Sequence, residues 1–292
     1  MSAKATTARS PFPWFGGKQR LADDIIALFP PHRVYVEAFG GGASVLLSKA
    51  PAVLDVYNDA EDGLFNFFRV LRERPDELVP LLELTPYSRT EFLHCTDTWR
   101  EVGNPVERAR RFYVVVSQCF GGHAVKYDRS GKRGWGGERL GRSHLCRAAS
   151  TKNRVDHIWR FVERMRSVQV DNLEWRDCLD RYDHEDCVFY LDPPYVPDTR
   201  RSGRYSHELT AEDHVELVER VLALKGVALV SGYESELYEP LVREGGFVRH
   251  EYTVWSTASR RSVARERDRR TEVVWASPRA AAPSLFAAGA IA

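Results

Sequence analysis

The sequence predicts an α/β protein built on an open, mostly parallel sheet, and three observations carry that prediction. Short apolar runs alternate with helical patterns through most of the 292 residues. One run, Val188-Phe189-Tyr190-Leu191, has no polar break, as expected of a strand buried on both faces. The first two runs end in a glycine turn and in an acid respectively, and each leads into a helix, which is the order of a nucleotide-binding βαβ half.

Taken in order, "RVYVEAF" is an alternating strand and "GGGASVLLSK" a glycine turn running into a helix start. "AVLDVYND" is a second strand ending in an acid, and "AEDGLFNFFRVLRERP" a helix stopped by proline. The turn is not the dinucleotide fingerprint, because "FGGGAS" lacks the G-x-G-x-x-G spacing. From Pro86 to Ser150 the pattern changes. "PVERARRFYVVVSQCF" has Pro105 near its start and apolar residues at helical spacing, whereas "GGHAVKYDRSGKRGWGGERLGRSH" has no period. A polar loop of that length points to function, and His123, Tyr127 and Trp135 among its cations suit base stacking. The sheet resumes with "SVQVDN", "VFYLD", "GVALVSG", "FVRHEYTVW" and "TEVVWAS", with helices near residues 174–181, 211–224 and 235–243 between the first four. The boundaries read 10–85 and 151–278 for a discontinuous main domain, 86–150 for an insert and 279–292 for a low-complexity tail expected to be disordered.

Composition narrows the function classes. No apolar run reaches the roughly 18 residues of a membrane span and the first ten residues lack a signal-peptide core, so a soluble cytoplasmic protein with no membrane partner is expected. The five cysteines are odd in number and form no C-x-x-C pair, which reads as reduced thiols. His123, His144 and Cys146 match no common zinc spacing, so no metal is expected. The formal charge is only +1, yet from Gly121 to Arg160 ten cations face three acids, and "SRRSVARERDRR" carries six arginines against two acids. Patches of this kind fit phosphate neutralisation.

In an open α/β sheet, the loops after the parallel strands meet in one crevice. Four should converge here: "FGGGA", Asn58-Asp59, Asp171 to Asp177, and Asp192-Pro193-Pro194-Tyr195. An acid after the second strand can accept both hydroxyls of a ribose. Two prolines in a row leave the sheet ladder and hold a carboxylate and a bare carbonyl in fixed directions. Such a pair can accept both hydrogens of an exocyclic amine, and the adjoining tyrosine offers a flat face to a nucleobase.

Together, "PFPWFGGK", "VEAFGGGASV", "YNDAEDGLFNFF", "LDPPY", "LVSGYESELY" and "RTEVVWASP" resemble the Dam-type DNA adenine methyltransferases. The resemblance covers most of residues 10–278. It implies a Rossmann-like, S-adenosylmethionine-dependent methyltransferase sheet with a small, mainly helical DNA-recognition domain inserted. It implies methyl transfer to the exocyclic amine of adenine in double-stranded DNA after base flipping. On the family's motifs, Trp14, Lys18, Glu37, Phe39, Gly40, Gly42, Asp59 and Asp177 fall at the cofactor. Lys18 would meet the methionine carboxylate, Asp59 the ribose (with Asn58 as the fallback) and Asp177 the cofactor's adenine, although Asp177 also reads as a helix N-cap. Asp192, Pro193, Pro194 and Tyr195 form the catalytic motif, with Asp192 the acceptor. Lys126, Arg129, Lys132, Arg133, Trp135, Arg139, Arg260 and Arg261 are the expected DNA contacts. Ala38 replaces a frequent proline, and the insert does not reproduce the hairpin of GATC-specific members, so GATC is not implied.

Methylation of the exocyclic amine of cytosine uses the same chemistry, often with serine where Asp192 stands. RNA guanine methyltransferases share D-P-P-aromatic motifs but would lack so long a basic insert. A catalytically silent DNA-binding relative need not keep Lys18, Asp59 and Asp192 together. In the tail, Leu285 and Phe286 of "PSLFAA" resemble the end of the short peptides that dock on the bacterial sliding clamp, although Ala282 stands where those carry glutamine.

Overall fold

Seven strands form one mixed sheet: β1 (Val34–Glu37), β2 (Leu54–Asn58), β3 (Val168–Asp171), β4 (Cys187–Leu191), β5 (Val227–Gly232), β6 (Val248–Trp255) and β7 (Arg269–Ala276). The structure is a computed structural model and describes residues 10–14, 16–119, 134–136, 147–196, 208–255 and 269–280. The strand order is β3-β2-β1-β4-β5-β7-β6. β1 to β5 pair in parallel, and β7 lies antiparallel between β5 and β6. All seven strands read from the sequence are present, displaced by at most two residues at their ends.

The unbroken apolar runs have a physical reason. Along β1, β2, β4, β5 and β7, alternate residues enter two separate cores. Tyr35, Tyr57, Val188, Tyr190, Leu229 and Val274 face one, while Val36, Val56, Phe189, Leu191, Val230 and Trp275 face the other. Helices cover both faces, so the strands have no wet side to record in the sequence.

The first core is built from α1 (Ala22–Ile26), α2 (Ser44–Ser48), α3 (Asp62–Glu73), α4 (Pro75–Leu84), α5 (Arg89–Thr98), α6 (Pro105–Gln118), α7 (Arg147–Asp156) and α8 (Ile158–Met165). The second is built from α9 (Trp175–Tyr182), α10 (Ala211–Ala223) and α11 (Glu239–Arg243), the last preceded by a 3-10 turn at Glu236–Tyr238. Local chemistry sets the helix ends. Asn104 Oδ1 accepts the N–H groups of Val106 and Glu107 at 2.9 and 3.2 Å, with Pro105 in the first turn of α6. Thr210 and Asp213 form a reciprocal capping box on α10. None of the described helices is long and apolar enough to cross a membrane.

Helices α5 and α6 lie within the segment that the sequence groups with the basic loop, yet they share the first core. Phe92, Cys95, Trp99, Phe112 and Tyr113 pack there with Phe12 and with Phe67 and Phe68 of α3. This half of the segment is therefore anchored on the sheet layer that positions the site.

Candidate active site

The strand order reverses between β1 and β4, and a cleft opens there at the carboxyl ends of the parallel strands. Trp14, Lys18, Glu37, Phe39, Gly40, Gly42, Asp59, Asp192 and Pro194 all line it. Residues from four separate stretches of sequence thus meet in one space. Pro193 and Tyr195 lie behind the lining, with Tyr195 only 6% exposed.

The glycine loop is shaped by two aromatic rings. A Cβ on Gly40 would sit 2.3 Å from the Tyr57 ring, and one on Gly41, at φ +48°, would sit 2.7 Å from Trp14 Nε1. The Tyr57 hydroxyl donates to the Gly41 carbonyl at 2.9 Å. Glycine is needed here so that the loop can be clamped between Tyr57 and Trp14, in addition to any close approach to a ligand. Asp59 closes the same loop, accepting the Gly41 and Glu61 N–H groups, each at 2.8 Å. Asn58 does something else. It is fully buried, and its amide ties the carbonyls of Ala38 and Leu173 while accepting the Leu173 N–H at 2.7 Å. Only Asp59 reaches the cleft.

Glu37 is the last residue of β1 and 2% exposed. Its Oε1 accepts the Tyr35 hydroxyl at 2.8 Å and the Leu46 N–H at 2.6 Å. Burial pushes its carboxyl up to about 8 against the pull of those hydrogen bonds, so Glu37 is protonated at neutral pH.

Asp192 stands immediately after β4 and faces Lys18, 174 residues away in the chain. The Lys18 ammonium lies 2.7 Å from both carboxylate oxygens, 3.2 Å from Glu272 Oε1, 2.9 Å from the Gly16 carbonyl and 5.0 Å from the Tyr195 ring centroid. Burial pushes the Asp192 carboxyl up to about 6; Lys18 opposes that rise and Glu272 adds to it. Burial pulls the Lys18 ammonium down, but the two carboxylates outweigh it and hold it above the ordinary lysine value. Lys18 was expected at the cofactor's carboxylate. It lines the cleft, and its ammonium is paired there with Asp192 and Glu272, the strongest acceptors within reach of a desolvated cation.

Two further expectations land differently. Asp177 is exposed in the first turn of α9 and does not line the cleft, where its neighbours Leu173, Glu174, Trp175 and Arg176 stand instead. Nor is Asp177 the N-cap of that helix, since Glu174 accepts the Arg176 N–H. Trp135 is half-buried, with Arg89 4.5 Å above its ring and Tyr87 5.9 Å away, and its Nε1 is buried. Gly136 donates to the Gln118 carbonyl at 2.8 Å. In this structure Trp135 pegs its short segment to α5 and α6, so that a ring face expected to be free for a base is covered. Lys126, Arg129, Lys132, Arg133, Arg139, Arg260 and Arg261 lie outside the described residues, as do Leu285 and Phe286 of the tail.

The sequence pattern of a family described as D12 class N6 adenine-specific DNA methyltransferase matches residues 14–247, from the Trp14 loop through β4 and β5. The chain belongs to this family.

Among its relatives, the type II methyltransferase M1.LlaDCHI of Lactococcus lactis subsp. cremoris is 27% identical over 244 residues, covering 79% of this chain and 83% of the relative. The DNA adenine methylase of Salmonella typhi is 25% identical over 241 residues, with 77% and 80% covered. That of Escherichia coli K12 is 24% identical over 213 residues, with 70% and 73% covered. As a D12 methyltransferase the chain transfers a methyl group from S-adenosylmethionine to N6 of adenine in DNA, and cytosine is set aside. The cleft fits that cofactor. It has a carboxylate after β2 able to accept hydroxyls, apolar walls at Trp14, Phe39, Leu173 and Trp175 for a ring and a thioether-like chain, and a second carboxylate at Asp192. No signal in the sequence marked Glu272 beyond its being the acid just before the apolar run Val273-Val274-Trp275 of β7.

Proposed function

We propose that this protein methylates adenine at a specific site in duplex DNA in the cytoplasm, with Asp192 as the group that receives the target amine. One observation carries the reading: a half-buried carboxylate held at the end of β4 shares a cleft with the glycine loop and Asp59. On this reading Asp59, Trp14, Phe39 and the Gly40–Gly42 backbone hold the cofactor, Glu37 closes the floor beneath it as a neutral acid, and residues 86–150 recognise DNA. Lys126, Arg129, Lys132, Arg133, Arg139, Arg260 and Arg261 neutralise phosphates around the site.

A base inside a duplex cannot reach such a cleft and must be extruded into it. Asp192 and the Pro193 carbonyl then accept the two hydrogens of the exocyclic amine, drawing its lone pair out of conjugation with the ring. S-adenosylmethionine supplies an electrophilic methyl group on a sulfonium. As the new N–C bond forms, the methyl–sulfur bond would break with its electron pair left on the sulfur, and the amine, positively charged in passing, would release one proton to the Asp192 carboxylate and on to solvent at the cleft mouth. The Asp192 carboxylate stabilises that charge where it develops, in a site from which water is largely excluded. Tyr195, 6% exposed behind the lining, would back the base from beneath Asp192 and would face it only by turning into the cleft.

Transfer of labelled methyl groups to duplex DNA, single-stranded DNA and RNA in parallel tests the substrate. Asp192→Ala tests the role, with activity expected to fall by about two to three orders of magnitude while cofactor binding survives. A variant keeping a tenth of the activity refutes Asp192 as the acceptor.

A further inference from the structure

Lys18 holds both oxygens of Asp192 at 2.7 Å, so the acid that must accept an amine already shares each oxygen with a cation that fixes its orientation. Releasing it means moving a buried ammonium, and a buried cation left without a partner is costly. A second carboxylate stands ready: Glu272 Oε1 lies 3.2 Å from the same nitrogen and is 7% exposed. Glu272 also accepts the Tyr195 hydroxyl, 77 residues away in sequence. The Tyr195 ring also packs edge-on against Tyr233 at 4.7 Å and lies 5.0 Å from the Lys18 ammonium. One carboxylate thus touches both the cation that restrains the catalytic acid and the tyrosine of the catalytic motif.

We infer that Glu272 is a positioning residue for methyl transfer: it gives the Lys18 ammonium a second seat, so that Asp192 can turn to the target amine, and it fixes the Tyr195 ring through its hydroxyl. The inference rests on Asp192 being the acceptor. Its physical basis is the sheet topology. β7 runs antiparallel, so its early residues, not its late ones, lie at the carboxyl ends of β4 and β5; Gly232, the last residue of β5, pairs with Val273 beside Glu272. Direct attachment of Lys18 to Glu272 keeps the cation paired throughout the exchange, with no net change in the number of buried charges.

The exchange has an electrostatic signature. Lys18, Glu272, Glu37, Tyr190, Tyr195 and Tyr238 surround Asp192, and of these Glu272 repels its charge. Removing the charge of Glu272 makes the Asp192 carboxyl more acidic and leaves Lys18 bound to it alone. Methyl transfer should then be slower, and its acid limb should move to lower pH.

The test compares kcat as a function of pH for wild type, Glu272→Gln and Glu272→Asp on duplex DNA, with melting temperature and calorimetric cofactor binding as controls. For Glu272→Gln a loss of at least about tenfold in kcat is expected, the scale of a misplaced catalytic group, together with an acid limb displaced downwards and little change in cofactor affinity. Glu272→Asp, which keeps the charge with a shorter reach, should lose rate with its acid limb near that of wild type. A Glu272→Gln enzyme with wild-type kcat, or with a lower kcat and an unmoved acid limb, overturns the inference. Should Glu272→Gln fail to fold, wild-type kcat in Glu272→Asp overturns it. Asp192→Ala measured alongside separates the two claims. Activity retained there refutes the acceptor itself, whereas activity lost there with wild-type behaviour in Glu272→Gln refutes only the role of Glu272.

Discussion

The sheet carries a buried lysine–carboxylate cluster at each end, and the two are built in opposite ways. Near the start of β2, Asp55 stands between two cations, with Lys49 at 2.7 Å and Arg164 at 2.6 Å. At the carboxyl ends of the strands, Lys18 stands between two anions, Asp192 and Glu272. The first cluster is closed by backbone: Lys49 donates to the Ala50 carbonyl, Arg164 to the Leu46 carbonyl, and Asp55 accepts the Ala52 N–H. In the second, two carboxylates compete for one ammonium at the wall of an open cleft. Burial pulls Lys49 below the ordinary lysine value, whereas Lys18 is held above it. A surplus of cation tied to backbone carbonyls makes a clasp, in which the Arg164 Nε alone is buried without an acceptor among the described residues. A surplus of anion beside a cleft leaves one carboxylate to be claimed by a substrate.

The strongest way to break this comparison is at the clasp. Asp55→Ala leaves two buried cations without their anion and should cost about 3–5 kcal/mol of stability, read as a lower melting temperature or denaturation midpoint, while cofactor affinity per folded molecule stays unchanged. Asp192→Ala should do the reverse: its melting temperature should hold, while methyl transfer falls by about 10²- to 10³-fold. A variant at either cluster that loses both properties equally would erase the distinction.

The glycine loop sharpens the contrast from a neutral position. Gly40→Ala drives a methyl group into the Tyr57 ring and should cost about 1–3 kcal/mol through overpacking. It should also weaken cofactor binding, because the strained loop carries the Gly41 N–H that Asp59 holds. Parallel thermal and calorimetric measurements would show whether the two losses travel together.

The smallest effect is one of pH. On the proposed role the ionised form of Asp192 is the stronger acceptor for the amine, so activity should decline as pH falls through about 6. The sign for stability is opposite. A carboxyl raised from 3.8 to about 6 binds its proton more tightly in the folded state, so its own contribution to stability is largest at low pH and declines as pH rises through that window. A rate profile falling below pH 6 without a parallel fall in melting temperature would assign the limb to chemistry.

Much of this site is legible in the sequence, for physical reasons that also mark where reading stops. Asp192, Asp59 and the glycines lie in turns directly after buried strands, where a polar residue has little structural excuse, so they stand out. The strands themselves are plain because both faces are dry and leave long apolar runs. Glu272 is hidden because an acid within a strand reads as an ordinary outward-facing residue; only the antiparallel course of β7 turns it towards Lys18. Trp135 misleads in the other direction. Among arginines it reads as a stacking platform, and nothing local reveals that Arg89 covers its ring. Asp177 and Asn58 show the limit of spacing arguments. A shift of one or two positions on a turn decides which side chain meets the cleft, and that depends on Leu173 and Ala38, which no local pattern connects to Asn58.

The position of β7 also bears on how the enzyme comes into being on the ribosome. Asp192 is synthesised 174 residues after Lys18, and the acid that completes their cluster comes later still, 77 residues beyond Tyr195. A nascent chain that has emerged through β5 already carries the cofactor loops and the catalytic motif, yet it lacks the strand that steadies them. On the role inferred for Glu272, the site is complete only once β7, the last strand in the chain, pairs beside β5.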